Sequence, residues 1–196
     1  VLLGVLSCDT GVEPSPDPGL LRITLTPDPA DSLIVIAKDS LYTTGGDSFN
    51  VSIFQGKAYQ DSLWSILFQD TLEWAPEEHK YNLLEHSGTD SMERFTIFES
   101  YVPPGNYTSF EFGITAQKMF LTYGYAIGGR TYPIQSPTGE DDFVRFDQEF
   151  TVDQGMVTEI HLLIKPFDSI DRFRDLFWFR PDIVVNDVNA NLHNFQ

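Results

Sequence analysis

Apolar and polar residues alternate with a period of two along most of the chain, in short runs broken by glycine and proline. Leu21-Arg22-Ile23-Thr24-Leu25-Thr26 alternates cleanly and predicts a first strand, closed by a turn at 27–31 where two prolines block a helix. The apolar run 33–37 predicts a short strand covered on both faces, and 49–54 alternates again after a Thr-Gly-Gly loop at 43–47. Residues 62–74 (SLWSILFQDTLEW) fit either a strand pair or an amphipathic helix, and the β character of their flanks favours strands. Short strands are predicted at 81–84 and 95–98. Over 107–116 the alternation puts Phe110, Phe112 and Ile114 on an inward face and Ser109, Glu111 and Gly113 on the opposite one. Further strands are predicted at 119–126, 131–134, 143–152 and 157–164. A short helical connection is expected at 168–176, then extended segments at 177–179 and 183–185.

Many short strands at turn-punctuated intervals predict an all-β antiparallel sandwich of the Ig-like or carbohydrate-binding-like kind, with at most a short helix near the C-terminus. One domain spans 20–185, with no interior linker to divide it, and a polar, Asn-rich tail at 186–196 is expected to be a loop or frayed end.

The first residues do not fit that scheme. VLLGVLSC is apolar up to the single cysteine, and DTGVEPSPDPG then turns polar and proline-rich. Val5-Leu6-Ser7-Cys8 resembles the bacterial lipobox: an aliphatic residue, two more of which the second is small, then Cys. That resemblance implies a signal remnant and lipobox at 1–8, diacylglycerol on the Cys8 thiol, cleavage before Cys8, and a tether at 9–19. The six apolar-run residues before Ser7 are too few to span a bilayer as they stand. The expected location is the periplasmic face of a membrane or the outer surface of a bacterium.

The formal charge of −17, with only 12 Lys and Arg, leaves no basic patch for phosphate and excludes nucleic acid as a partner. Aromatic content is high at 14%, which suits pleated, half-buried surfaces. One Cys permits no disulfide within the chain. The four histidines, His79, His86, His161 and His193, are scattered, and no Ser lies in a nucleophile-elbow motif, so no catalytic residue is assigned and no enzyme is expected. His79 and His86 beside Glu77, Glu78 and Glu85 read as a solvated acidic loop rather than a zinc site. Glu140, Asp141 and Asp142 beside Gly139 are weak calcium candidates, as is the 28–31 turn, and an acidic solubilising turn is the plainer reading. Apart from lipid on Cys8, no cofactor is expected.

The segment VPPGNYTSFEFGI resembles the Pro-x-Gly-x-Tyr hairpin entry of uncharacterised bacterial lipoprotein sandwich domains with a carbohydrate-binding-like fold. The later block FDQEFTVDQGMVTEIHLLIKPFDSI, followed by FRPDIVV, matches their sequence of polar strand, Gly turn, aliphatic strand and closing strand. The resemblance implies a sandwich and export, and carries no activity.

These observations predict a non-catalytic, lipid-anchored interaction or structural protein, an accessory subunit docking on a membrane complex or surface assembly. The alternative is a cell-surface carbohydrate-binding module. The contact surface is expected at Tyr123, Tyr125 and Tyr132 around the Gly128-Gly129 turn, and at Trp178 and Phe179, because aromatic residues are enriched at interfaces. Partners would be the membrane through the anchor, other membrane or surface proteins, and glycans.

Overall fold

A computed structural model describes residues 15–31, 33–36, 39–42, 46–69, 79–87, 91–122, 129–174 and 176–190. Their elements are all strands: β1 Gly19–Pro27, β2 Leu33–Ile36, β3 Asp39–Tyr42, β4 Ser48–Gln60, β5 Leu63–Leu67, β6 His79–Asn82, β7 Phe95–Val102, β8 Gly105–Tyr107, β9 Ser109–Leu121, β10 Arg130–Gln135, β11 Phe143–Phe146, β12 Phe150–Val152, β13 Val157–Ile164, β14 Ile170–Phe173, β15 Leu176–Phe179 and β16 Ile183–Asn189. A four-stranded sheet runs β16-β13-β1-β7, and an eight-stranded sheet runs β14-β15-β10-β9-β4-β5, with β11 beside β9 and β6 beside β4. The two pack as a sandwich whose core holds Leu21, Ile23 and Leu25 of β1, Ile160, Leu162 and Ile164 of β13, and Phe110, Phe112 and Ile114 of β9. Pairing is mainly antiparallel, with parallel exceptions at β1–β13 and β10–β15.

The alternation of β9 is realised as expected: Phe110, Phe112 and Ile114 are fully buried, while Glu111 is half-exposed on the other side. Ser109 and Gly113 share that outer face and are nonetheless covered. Arg145 donates from Nη2 to Ser109 Oγ at 2.8 Å, and the Phe54 ring lies where a Gly113 side chain would go. The turn before β8 is fixed by Gly105, whose φ of 147° disfavours a side chain, and by Tyr107, buried and donating from its hydroxyl to the Pro103 carbonyl at 2.7 Å. A tyrosine bonding back a few residues to close a sandwich corner is a recurrent device of Greek-key folds.

Three expectations are corrected. The 168–176 connection is not helical. Ser169 N–H bonds the Lys165 carbonyl in a single turn, and Ile170 then starts a hairpin in register with Phe179, which holds the chain extended. The 143–152 run is two strands, because β11 pairs β9 whereas β12 pairs β8, and the polar residues Asp147-Gln148-Glu149 span the switch. The polar tail is strand as far as Asn189, since β16 pairs β13 from Ile164↔Ile183 to Glu159↔Asn189. The apolar β2 pairs with β3 in a two-stranded hairpin, with Leu33 exposed at its start.

One end of the sandwich collects the entry of the chain and the β4–β5 turn. Gly19 pairs with Val102, Pro18 accepts from Gly155 N–H, Thr108 N–H bonds the Tyr59 carbonyl, and Gly105 abuts Gln60. The segment preceding β1 and the turn at Asp61-Ser62 therefore lie at the same end.

Candidate functional site: the outer face and edge of the large sheet

The site begins with a bulge. In the β4–β9 ladder Phe54 faces Gly113 and Lys57 faces Glu111, so Gln55 and Gly56 together stand opposite Phe112. The extra residue is accommodated by Gln55 at φ 50° and by Gly56, where a Cβ would meet the Phe98 ring at 2.7 Å. Without the insertion, residues three apart would point to opposite faces; with it, both Phe54 and Lys57 point outward. Beyond the bulge Tyr59 follows Lys57 on the outer face, and the β5 partners of these two are Trp64 and Ile66. On the other side Glu111 stands opposite Arg145 of β11, and Gly113 opposite Phe143.

These side chains interlock. The Tyr59 hydroxyl donates to Glu111 Oε1 at 2.5 Å, and Lys57 Nζ donates to the same oxygen at 3.2 Å. Lys57 Nζ also sits 5.6 Å from the centre of the Trp64 ring and 5.9 Å from that of Phe143, and the Arg145 guanidinium lies 4.8 Å over Tyr59. Phe54 and Phe143 meet edge to face at 5.6 Å. Burial works to raise the Glu111 pKa, but hydrogen bonds from Tyr59 and Lys57 outweigh it and the net shift is downward. The same bond to Glu111, aided by burial, raises the Tyr59 pKa. At neutral pH the face is thus a zwitterionic lattice with its ions paired, Arg145 also reaching Asp147 at 3.2 Å.

At the edge the lattice gives way to apolar surface. Leu63 is 70% exposed, Trp64 53%, Ile66 52% and Phe68 58%, whereas Leu67 is buried and Ser65 half-buried against Tyr107. The signal was present in the sequence as LWSILF, an uncharged run, but its exposure follows from β5 ending the sheet.

Of the aromatic residues expected to form the contact surface, Tyr132, Trp178 and Phe179 lie elsewhere. Tyr132 and Phe179 are core residues, 6% and 3% exposed, packing edge to face on Phe177 at 5.4 Å and Phe49 at 5.9 Å. Neither can line a contact surface on this domain. Both were misplaced because the alternation of their strands does not reveal which sheet lies over which face. Trp178 is half-buried with Arg180 5.9 Å over its ring. Tyr123, Tyr125 and Cys8 lie outside the described residues.

Glu140 is engaged by Arg180, with Nη2 to Oε1 at 2.6 Å, and Asp171 joins the same guanidinium. This pairing lowers the Glu140 pKa. Glu140, Asp141 and Asp142 border an open cleft of about 310 Å³ together with Arg145 and Arg180, and no group of three metal-ligating side chains occurs among the described residues. Asp28 and Asp31 cap turns instead of converging on an ion: Asp28 accepts from Ala30 N–H, Asp31 from Phe167 and Asp168 N–H. His161 sits on the other sheet, 3.0 Å from Thr26 and 3.4 Å from Asp187.

Comparison of the chain with protein-family models, with curated proteins and with solved structures gives no match.

Proposed function

We propose that this domain is a non-catalytic binding module of the bacterial cell envelope, tethered through lipid on Cys8 and docking on a membrane complex or surface assembly by contact along β5. The observation that carries this reading is the exposure of Leu63, Trp64, Ile66 and Phe68 on one short strand and its end. Clustered exposed apolar side chains of this kind mark interaction sites rather than ordinary surface. Aliphatic Leu63 and Ile66 beside Trp64 favour a protein surface over a sugar, which takes flat rings and polar groups.

The location supports the same reading. The β4–β5 turn shares the end of the sandwich where the chain enters β1, so a tether would hold β5 towards the membrane and raise its effective concentration for partners there. The test is a photo-crosslinking residue placed at position 66, and in a second variant at position 22 on the opposite face, in cells expressing the protein. A discrete adduct from 66 and none from 22 is expected; equal labelling, or none from either, defeats the reading.

A glycan reading has one observation in its favour: Trp64 and Tyr59 stand beside Glu111 and Arg145, rings next to polar groups. Retardation by cell-surface polysaccharide in native gels, lost in Trp64→Ala, would establish it in place of protein docking.

A further inference from the structure

Among the described strands that end or flank the two main sheets, β5 alone carries no charged, amide or proline side chain. β16 carries Asn186, Asp187 and Asn189; β14 carries Asp171 and Arg172; β11 carries Arg145; β6 carries Lys80; and β7 carries Glu99. The β7 edge is closed where Glu99 N–H bonds the Phe68 carbonyl and Phe68 N–H bonds Ser100 Oγ, and the same two bonds close the β5 edge beyond Leu67, leaving 63–67 as its open stretch. Such charges keep sheet edges from templating further strands. Leu63-Trp64-Ser65-Ile66-Leu67 has no charged, amide or proline residue, and among the described residues it pairs with β4 alone. Its rim side offers Leu63 and its outer side Trp64 and Ile66, so a strand laid alongside would meet apolar neighbours on both faces.

From this we infer that β5 receives an extended segment of a partner protein as an added strand, apolar at its centre and basic at its flanks. This rests on the contact reading and specifies it. Charge selects the occupant. The nearby cations Lys57 and Arg145 are already paired with Glu111 and Asp147, Asp61 at the β4–β5 turn is exposed, and the chain as a whole carries −17. An acidic segment, or a second copy of this chain, would approach against that field, and a basic-flanked one with it. Main-chain hydrogen bonds would supply affinity and the alternate side chains the selectivity, as in other strand additions.

The probes are three synthetic peptides: KKVTVTVKK, the acidic EEVTVTVEE, and KKVTPTVKK, whose central proline removes a ladder donor. Amide hydrogen exchange is followed residue by residue on the folded domain. KKVTVTVKK is expected to slow exchange at β5 amides by about tenfold or more at saturation, while the other two leave them unchanged. Ile66→Lys, a surface change that leaves the melting temperature in place, is expected to weaken the effect by about tenfold. No slowing at β5, equal slowing by the proline or acidic peptide, or an unaffected Ile66→Lys variant overturns the inference. A β5-dependent dimer in sedimentation overturns it in favour of a second copy. A crosslink from position 66 in cells, with β5 amides indifferent to KKVTVTVKK, leaves the contact reading standing and removes strand addition alone.

Discussion

On the outer face of the four-stranded sheet, Glu99, Arg22 and Glu159 stand side by side on β7, β1 and β13. Arg22 reaches Glu99 at 2.6 Å and Glu159 at 3.6 Å, and Arg94 closes the row onto Glu159 and Thr24. His161 extends it towards Asp187 of β16. On the outer face of the larger sheet the same alternation yields rings among the charges and, at the β5 edge, bare apolar side chains. The charged row of the first face is satisfied within the domain, since its charges find opposite charges across strands. The second is complete only as far as Lys57, Glu111 and Arg145, and then stops. Burial of the core makes both sheets necessary; the larger one carries the longest run of exposed apolar side chains, along β5.

Substitutions should separate these roles, and the largest effect belongs to the layer between the faces. Phe110 is fully buried, stacks on Phe146 at 4.7 Å and meets Phe150 edge to face. Phe110→Ala is expected to cost about 3–5 kcal/mol in denaturant unfolding, through lost transfer energy and an unfilled cavity. Next comes Gly113→Leu, on the outer face. A Cβ there falls 2.2 Å from the Phe54 ring, so the side chain must evict the ring that covers the strand, for about 1–3 kcal/mol. Were Gly113→Leu as mild as an ordinary surface change, the aromatic cover of this face would contribute little, and the contrast between the faces would narrow.

How far this contrast was legible in the sequence differs by element. The period of β9 told which of its residues face the core, and VPPGNY told where a turn and a capping tyrosine fall, because both are local properties of backbone and side chain. The bulge at Gln55-Gly56 was not legible: its effect is to change which face Lys57 and Tyr59 occupy, and a gap in alternation reads the same as a loop. Nor was the edge position of β5. LWSILF would read identically as a central strand, and only the sheet order distinguishes the two. Tyr132 beside the Gly turn and Phe179 near the C-terminus failed for the same reason in reverse, since long-range packing covered both rings.

The charged face yields two smaller effects. Glu159 is 14% exposed and serves both Arg22 and Arg94, so Glu159→Ala leaves two guanidinium groups without their shared carboxylate. Because those arginines are 34% and 48% exposed and water screens them, the expected loss is about 1 kcal/mol. Crosslinking from position 66 should be unchanged in that variant. His161 supplies the pH dependence. Burial, with Arg94 nearby, pushes its pKa below the ordinary value despite Asp187 and Glu159. A depressed histidine binds protons less readily when folded, so its contribution is fully present above about pH 6.5 and is lost as pH falls through the folded value. Melting temperature should therefore fall on acidification more in the native protein than in His161→Gln; equal slopes would mean that His161 titrates as if free.

The smallest effect on stability should accompany the largest on contact. Trp64 is 53% exposed on an edge strand, its principal neighbours being Tyr59 across the ladder and the Lys57 ammonium above its ring. Truncation to Ala gives up only the covered half of the ring on an edge strand, and Lys57 retains Glu111 at 3.2 Å, so the unfolding free energy is expected to fall by less than about 1 kcal/mol. A loss of 2 kcal/mol or more would be about the cost of emptying a packed site, and would mean that Trp64 supports the domain rather than its partner. If stability holds, the same substitution should sharply reduce crosslinking from position 66, because aromatic anchors carry a disproportionate share of interface energy. The pairing with Glu159→Ala is what gives the result force. One variant is destabilised and still binds, the other is stable and does not, and a single scale of general damage cannot produce both orders.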